Sequence, residues 1–351
     1  SSSAPTYNEG KGTVFGDSSA KSNSLENSYE LLKEANSLTQ KYSPGMLMHL
    51  RNIDSNIGGL VNLLVRTGNV STNNTAIKTG TTIGTDAMSS FLAEKTMNMM
   101  AFIDPIQKII PALGKAFSNI VGSIFGKVKV TNIGSGITAA AQSLQDIMQG
   151  QFQAQYFSDF KIKKSGLFGG STKYKTVTSE ADAELEQQLT AVFTGIYDSV
   201  LSGAKMLGSA ESDVVAVLDA FVVDIGKINL SGTSAEMQES LSAVFSAASD
   251  NIAKAVFPGL EKFQKVGEGY FETLVRVASE LETVNSMFDM LGIKLYALGI
   301  AGVDASQSLI NLFGGISEFQ SATSEYYDSF YTEEEKVAKM TEQLTSVFSD
   351  L

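Results

Sequence analysis

Apolar residues recur three and four positions apart over most of this chain, and a pattern of that period buries one face only as an α-helix. The clearest run is Leu185, Leu189, Val192, Phe193, Ile196, Val200 and Leu201. A second, Leu25, Tyr29, Leu32, Ala35, Leu38 and Tyr42, lies in the front half. One tract breaks the rule. From Lys127 to Ser179 the period drops to two: Lys127-Val128-Lys129-Val130 alternates, and Tyr156, Ser158, Phe160 and Ile162 alternate with Phe157, Asp159, Lys161 and Lys163. Gly166 to Ser171 reads as a turn and Lys173 to Val177 as the returning strand. The expected fold is mainly α, with elongated helical and coiled-coil segments and a small β-hairpin element near 127–178 that leaves room for a third strand.

Punctuation then divides the chain. Only five Pro stand against 31 Gly, so the helices are expected to be joined by Gly-rich loops rather than Pro turns. Residues 1–24 form a flexible leader rich in Ser, Gly, Thr and Asn. Amphipathic, coiled-coil-like helices occupy 25–67, broken at Pro44-Gly45, and a Gly/Thr/Asn linker follows at 68–87. Next come an apolar helical segment at 88–126, the hairpin region at 127–179, and a helical C-terminal region at 180–351 with a short strand near 221–230.

The stretch from Phe221 to Val284 organises that last region. Phe221 to Ile225 is a β-branched run, and Lys227-Ile228-Asn229-Leu230 alternates. Ser234 is placed to cap a helix that buries Met237, Leu241, Val244, Phe245 and Ala248. Pro258 ends it, and Gly267-Glu268-Gly269 precedes a helix with Phe271, Leu274, Val277, Ala278, Leu281 and Val284 on its apolar side. Glu268 and Glu272 read as exposed carboxylates, with Arg276 spaced to pair with Glu272 and Glu280.

Three sets of residues carry candidate sites. Met46, Leu50, Ile53, Ile57, Leu60 and Leu64 step by four and three, the seam of a coiled coil, so they mark either self-association or a helix packed within its own chain. Met100, Phe102, Ile103, Ile106, Ile109, Ile110, Phe117 and Ile120 lie in the most apolar region. A spanning helix needs roughly 20 apolar residues with few charges, and Asp104, Lys108, Lys115, Pro105 and Pro111 interrupt this one. It reads as a stored membrane-active segment or as a buried oligomer core. Lys127, Lys129, Lys161, Lys163, Lys173 and Lys175 fall on one parity within each strand, which suggests a shared basic face for DNA backbone or an acidic tube lumen, or equally a solvated sheet face.

Enzymatic chemistry finds little support. The chain has no Cys and one His, His49, which removes thiolate nucleophiles and makes zinc sites and His-based triads improbable. Gly134-Ser135-Gly136-Ile137-Thr138-Ala139 matches a G-x-G-x-x-A dinucleotide fingerprint with Asp159 downstream, but it stands without the parallel sheet that motif requires. No cofactor or metal is expected. The net charge of −12 divides into +5 over 1–180 and −17 over 181–351, so only the front half suits a polyanion. Glu333-Glu334-Glu335 after Thr332 reads as a helix start. No charged and apolar leader of the secretory kind opens the chain.

Several strings resemble phage tail tape measure proteins in their C-terminal half. The main one runs from KINLSG at Lys227 through SAVFS to FPGLEKFQKVGEGYFETLVRVA, ending at Ala278. Others, in order, are KGTVFGD at Lys11 to Asp17, Gly45-Met46-Leu47 with Leu50-Arg51-Asn52-Ile53, LFGGSTKY at Leu167 to Tyr174, and Ser308-Leu309-Ile310 with Gly314-Gly315, Tyr326-Tyr327 and Thr332 to Glu335. The resemblance implies a structural virion protein of the tail lumen near the tip. It implies a homotrimer that contacts tail tube and baseplate or tip proteins, acts in assembly and length determination, and is released to carry DNA across the host envelope. The family's long helical rod is missing, so the chain reads as a post-rod segment or processed piece. The rival class is a membrane-active, pore-forming or toxin-like helical protein.

Overall fold

The computed structural model describes residues 4–7, 10, 21–39, 50–61, 112, 115, 116, 119, 128–164, 170–293 and 297–349. They form a mainly helical protein with a small antiparallel sheet. In chain order the elements are α1 (Ser24–Thr39), α2 (50–61), β1 (Val128–Ala139), β2 (Gln142–Ser143), α3 (Leu144–Met148), β3 (Ala154–Lys164) and β4 (Ser171–Glu180). Then follow α4 (Ala183–Met206), α5 (Glu211–Ala220), β5 (Val222–Val223), β6 (Lys227–Asn229), α6 (Ser234–Val256), α7 (Tyr270–Met290), α8 (Gly299–Phe313), α9 (Ile316–Phe330) and α10 (Glu333–Ser349).

The sheet runs in the order β4-β3-β1-β6, antiparallel throughout, with a bulge between Asn132 and Gly134. The expected hairpin and third strand are therefore present, and the strand near 221–230 supplies a fourth. Ile137, Ala139, Ala154, Tyr156 and Ile228 bury one sheet face in the main core. The two fingerprint glycines sit inside β1, not in a loop before a helix. A Cβ on Gly136 would stand 1.9 Å from the Ile228 carbonyl, and one on Gly134 would stand 1.8 Å from the Tyr7 hydroxyl. Gly136 admits the neighbouring β6 backbone and Gly134 the Tyr7 side chain, so no helix N-terminus is available there for a pyrophosphate.

The helix starts follow capping chemistry. Asp182 accepts from the Leu185 N–H to cap α4. At α6 the cap is Thr233, one residue before the expected Ser234, because Thr233 and Glu236 satisfy each other's backbone N–H in a capping box. Thr332 and Glu335 make the same reciprocal pair at α10. Between α8 and α9 the chain turns at Gly314, whose φ of 91° is left-handed and suits glycine.

The organising element is α7. It packs against α1, α4, α6, α8 and α9. Phe271, Leu274, Val277, Ala278, Leu281 and Val284 are fully buried as expected, but so are residues between them, including Thr273 and Val275. A helix buried on all sides is a core helix, not an amphipathic surface one. Each large side chain among them contributes about 1.5–3 kcal/mol of transfer free energy before chain entropy is charged. A smaller cluster of Val284, Met287, Met290, Ile310 and Phe319 joins the far end of α7 to α8 and α9.

Candidate functional site

Two buried polar centres meet at the start of α7, and the second, at Glu268 and Arg276, lies on the string that carries the family resemblance. Asp250 of α6 has no exposed surface. Its carboxylate accepts from Ser22 Oγ at 2.6 Å, Ser24 Oγ at 2.5 Å and the Phe271 N–H at 2.8 Å. Gly269 makes room for this contact, since a Cβ there would lie 1.6 Å from Ser24 Oγ. Burial pushes the Asp250 carboxyl up to about 6, against the opposing pull of its donors. Nearby, Glu26 of α1 accepts from Ser242 and Ser246 of α6. The N-terminal segment is thus tied to the core by serine–carboxylate bonds.

The second centre corrects the expectation of exposed carboxylates. Glu268 and Arg276 are 5% and 4% exposed. Arg276 Nε and Nη2 donate to the two oxygens of Glu268 at 2.6 and 3.1 Å, and Nη2 also reaches the Phe263 carbonyl at 2.6 Å. Nη1 donates to Glu280 at 3.0 Å and to Gln307 of α8 at 3.1 Å. Burial alone would raise Glu268, but the Arg276 guanidinium, the Lys265 N–H and the Thr273 hydroxyl outweigh it and hold the carboxyl below its ordinary value. Glu280 pairs with Arg276 as expected. Glu272 does not: it accepts from Asn27 Nδ2 at 3.1 Å and from the Gly269 N–H at 3.4 Å, and burial, with the Glu268 and Asp250 charges, raises its carboxyl.

Both centres are saturated with donors, so their chemistry is fastening. Asp250 faces hydroxyls and amides, with no imidazole or amine among them to move a proton. Among the described residues no group of three or more His, Cys, Asp and Glu is placed to hold a metal ion. An open groove of ≈ 610 Å³ between α1 and α7 carries Glu30, Glu34 and Glu272 against Lys33, a lining that repels anionic substrates.

The candidate residues separate on the structure. Leu50, Ile53, Ile57 and Leu60 are fully buried in the chain's own core, with Leu60 against Gly195 of α4, so this part of the seam is consumed within one chain. Met46 and Leu64 lie outside the described residues. So do Met100, Phe102, Ile103, Ile106, Ile109, Ile110, Phe117 and Ile120, together with His49. No helix among the described residues is long and apolar enough to cross a membrane.

The lysines do not share a face. Register places Lys129 opposite Lys163 and Thr131 opposite Lys161 on one side. Lys173 stands opposite Ile162 and Lys175 opposite Phe160, on the other side. The reason is turn length: parity within a strand is set by the pleat, but the face reached after a turn depends on how many residues the turn holds. Lys127 lies outside the described residues.

Sequence reasoning missed the burial of Asp250, Glu268 and Arg276, and it missed Lys227. That lysine pairs with Asp159 at 2.9 Å on the sheet face opposite the helices. The one available signal was glycine: Gly269 next to Glu268 marks a place where side chains press on the backbone. Leu312 (80%), Phe330 (70%), Val337 (63%) and Met340 (55%) leave large apolar side chains exposed along α8 to α10. No family model, curated protein or solved structure matches the chain.

Proposed function

We propose that this chain is a non-enzymatic structural protein of a phage tail, the post-rod segment of a tape measure protein. It resides in the tail lumen near the tip, associates as a homotrimer with tail tube and baseplate or tip proteins, acts in assembly and length determination, and is released for DNA ejection through the host envelope. The resemblance strings are the ground for the family. The single observation that supports an assembly role is the apolar exposure along α8 to α10. Val337 and Met340 stand three residues apart on one side of a helix with no buried described side chain, a face that suits a covering partner. The fastening centres support the same reading, because their polar groups are taken up in tying α1, α6, α7 and α8 to one another.

The test is direct. Tails purified from the phage that encodes the chain should contain it by mass spectrometry. An in-frame deletion of residues 299–349 should leave heads intact and abolish mature tails. Purified tails that lack the chain, or mature tails formed by the deletion, would remove the proposal.

A further inference from the structure

Beyond the bulge at Asn132 and Gly134, β1, β3 and β4 run on together as a three-stranded ribbon. Lysines crowd this end on both faces. Lys129, Lys161 and Lys163 share one face, and Lys164, Lys173 and Lys175 share the other, because Lys164 pairs with Ser171 two residues along from Lys173. Five of the six are exposed and Lys161 is half-buried beside the Tyr174 ring. Lys129 and Lys163 are direct cross-strand partners, an arrangement that like charges destabilise.

None of the six forms an ion pair with a carboxylate among the described residues. Asp159 is already taken by Lys227 and Thr176, and Glu180 lies at the opposite end of β4. Among the described residues a chain of net charge −12 therefore keeps a cationic tip without a carboxylate partner, on the half that carries its positive balance. β4 is also an edge strand of the sheet among the described residues.

The two-sided placement selects the partner. A flat anionic surface, whether of lipid or of protein, meets one face of a ribbon and leaves the other lysines unused. A groove with negative charge on both walls meets both. Stacked sheets pack about 10 Å apart, so one sheet with its side chains is about that thick; the major groove of double-stranded DNA is about 12 Å wide, lined by a phosphate backbone on each side, and admits a β-ribbon. We propose that this end of the sheet enters double-stranded DNA edge-on, with the lysines of each face against one phosphate wall. Lysines are point charges without a base-reading fork, so binding is independent of sequence. This inference stands apart from the tail reading: it needs only the register and the charges.

The experiment uses the full chain and a labelled duplex of about 20 base pairs, followed by fluorescence anisotropy from about 50 to about 200 mM salt. Affinity should fall steeply with salt, by a log–log slope of about −0.9 for each phosphate contacted. Lys129→Gln/Lys161→Gln/Lys163→Gln and Lys164→Gln/Lys173→Gln/Lys175→Gln should each reduce that slope by roughly 2–3. Lys33→Gln with Lys339→Gln, remote from the ribbon, should leave it unchanged. Far-ultraviolet dichroism and melting confirm that every variant is folded. No duplex binding at the lowest salt overturns the proposal, as does an equal effect of the remote pair. An effect confined to one triple points to a flat surface and also overturns it, as does equal or tighter binding of polyglutamate, single-stranded DNA or phosphatidylserine vesicles.

Discussion

Replacing Arg276 by Met removes a guanidinium while nearly keeping its volume, so the loss reads the polar network and not a cavity. The Glu268 carboxylate would lose its donors at 2.6 and 3.1 Å and keep the Thr273 hydroxyl and the Lys265 N–H. The Phe263 carbonyl would lose its 2.6 Å donor, and Glu280 its cation. Breaking one side of a buried ion pair costs about 3–5 kcal/mol, because a charge is left in a poor solvent. With Glu268 only 5% exposed, the full range applies. The assay is urea unfolding followed by dichroism at pH 7. A second variant, Glu268→Gln/Arg276→Met, removes both charges and should lose only about 1–3 kcal/mol. pH adds a check. Glu268 is held below its ordinary value, so its contribution is present above the unfolded pKa and is lost as pH falls through the folded one. Without Arg276 burial raises it instead, and acid relieves the penalty, so the gap between Arg276→Met and the parent should narrow on acidification. A loss under about 1 kcal/mol for the single variant, or a double variant as weak as the sum of the singles, would refute the reasoning.

Three further outcomes are expected. Burial pushes Asp250, and likewise Asp54 on α2, up to about 6, above their unfolded value of 3.8, so their contribution is full below 3.8 and fades as pH rises through 6; unfolding free energy should therefore rise between pH 7 and 5, and Asp250→Asn/Asp54→Asn should flatten that rise. Gly136→Ala should force β6 away from β1 at a loss of about 1–3 kcal/mol, seen as faster hydrogen exchange at Ile228 and Leu230; unchanged exchange would contradict the close approach. Ile53→Asp with Ile57→Asp should unfold the chain instead of dissociating it, since both side chains are fully buried in one chain; a folded monomer with parental melting would return the seam to a role between chains.

How far the sequence was legible depended on what each pattern can encode. Periodicity states which residues of one element share a face, and there it served well: Leu185, Leu189 and Val192 on α4 and Phe271, Leu274 and Val277 on α7 are buried as their spacing predicts. It does not state what covers the face. The seam at Leu50, Ile53 and Ile57 has the same spacing whether a second chain or α1 and α4 lie over it. Nor does it fix the face across a turn, which is why one parity of lysines became two sides of a ribbon. Arg276 read as a surface residue because its partners Glu268 and Gln307 come from outside its own helix. The G-x-G-x-x-A string misled because glycine serves close approach of a neighbouring strand as readily as it serves a phosphate turn.

The serine bonds at Asp250 also set an order of events during synthesis. Ser22 and Ser24 find their carboxylate 228 and 226 residues later, and α1 packs on α7, which begins at Tyr270. At ribosomal rates of about 5–20 residues per second, the apolar face of α1 waits on the order of 10–50 s for its cover. During that interval Leu25 and Leu32 are open to chaperones or to the α1 of a neighbouring nascent chain on the same message. Helix α1 is thus made long before the elements that house it, and the yield of native protein depends on what shields it meanwhile.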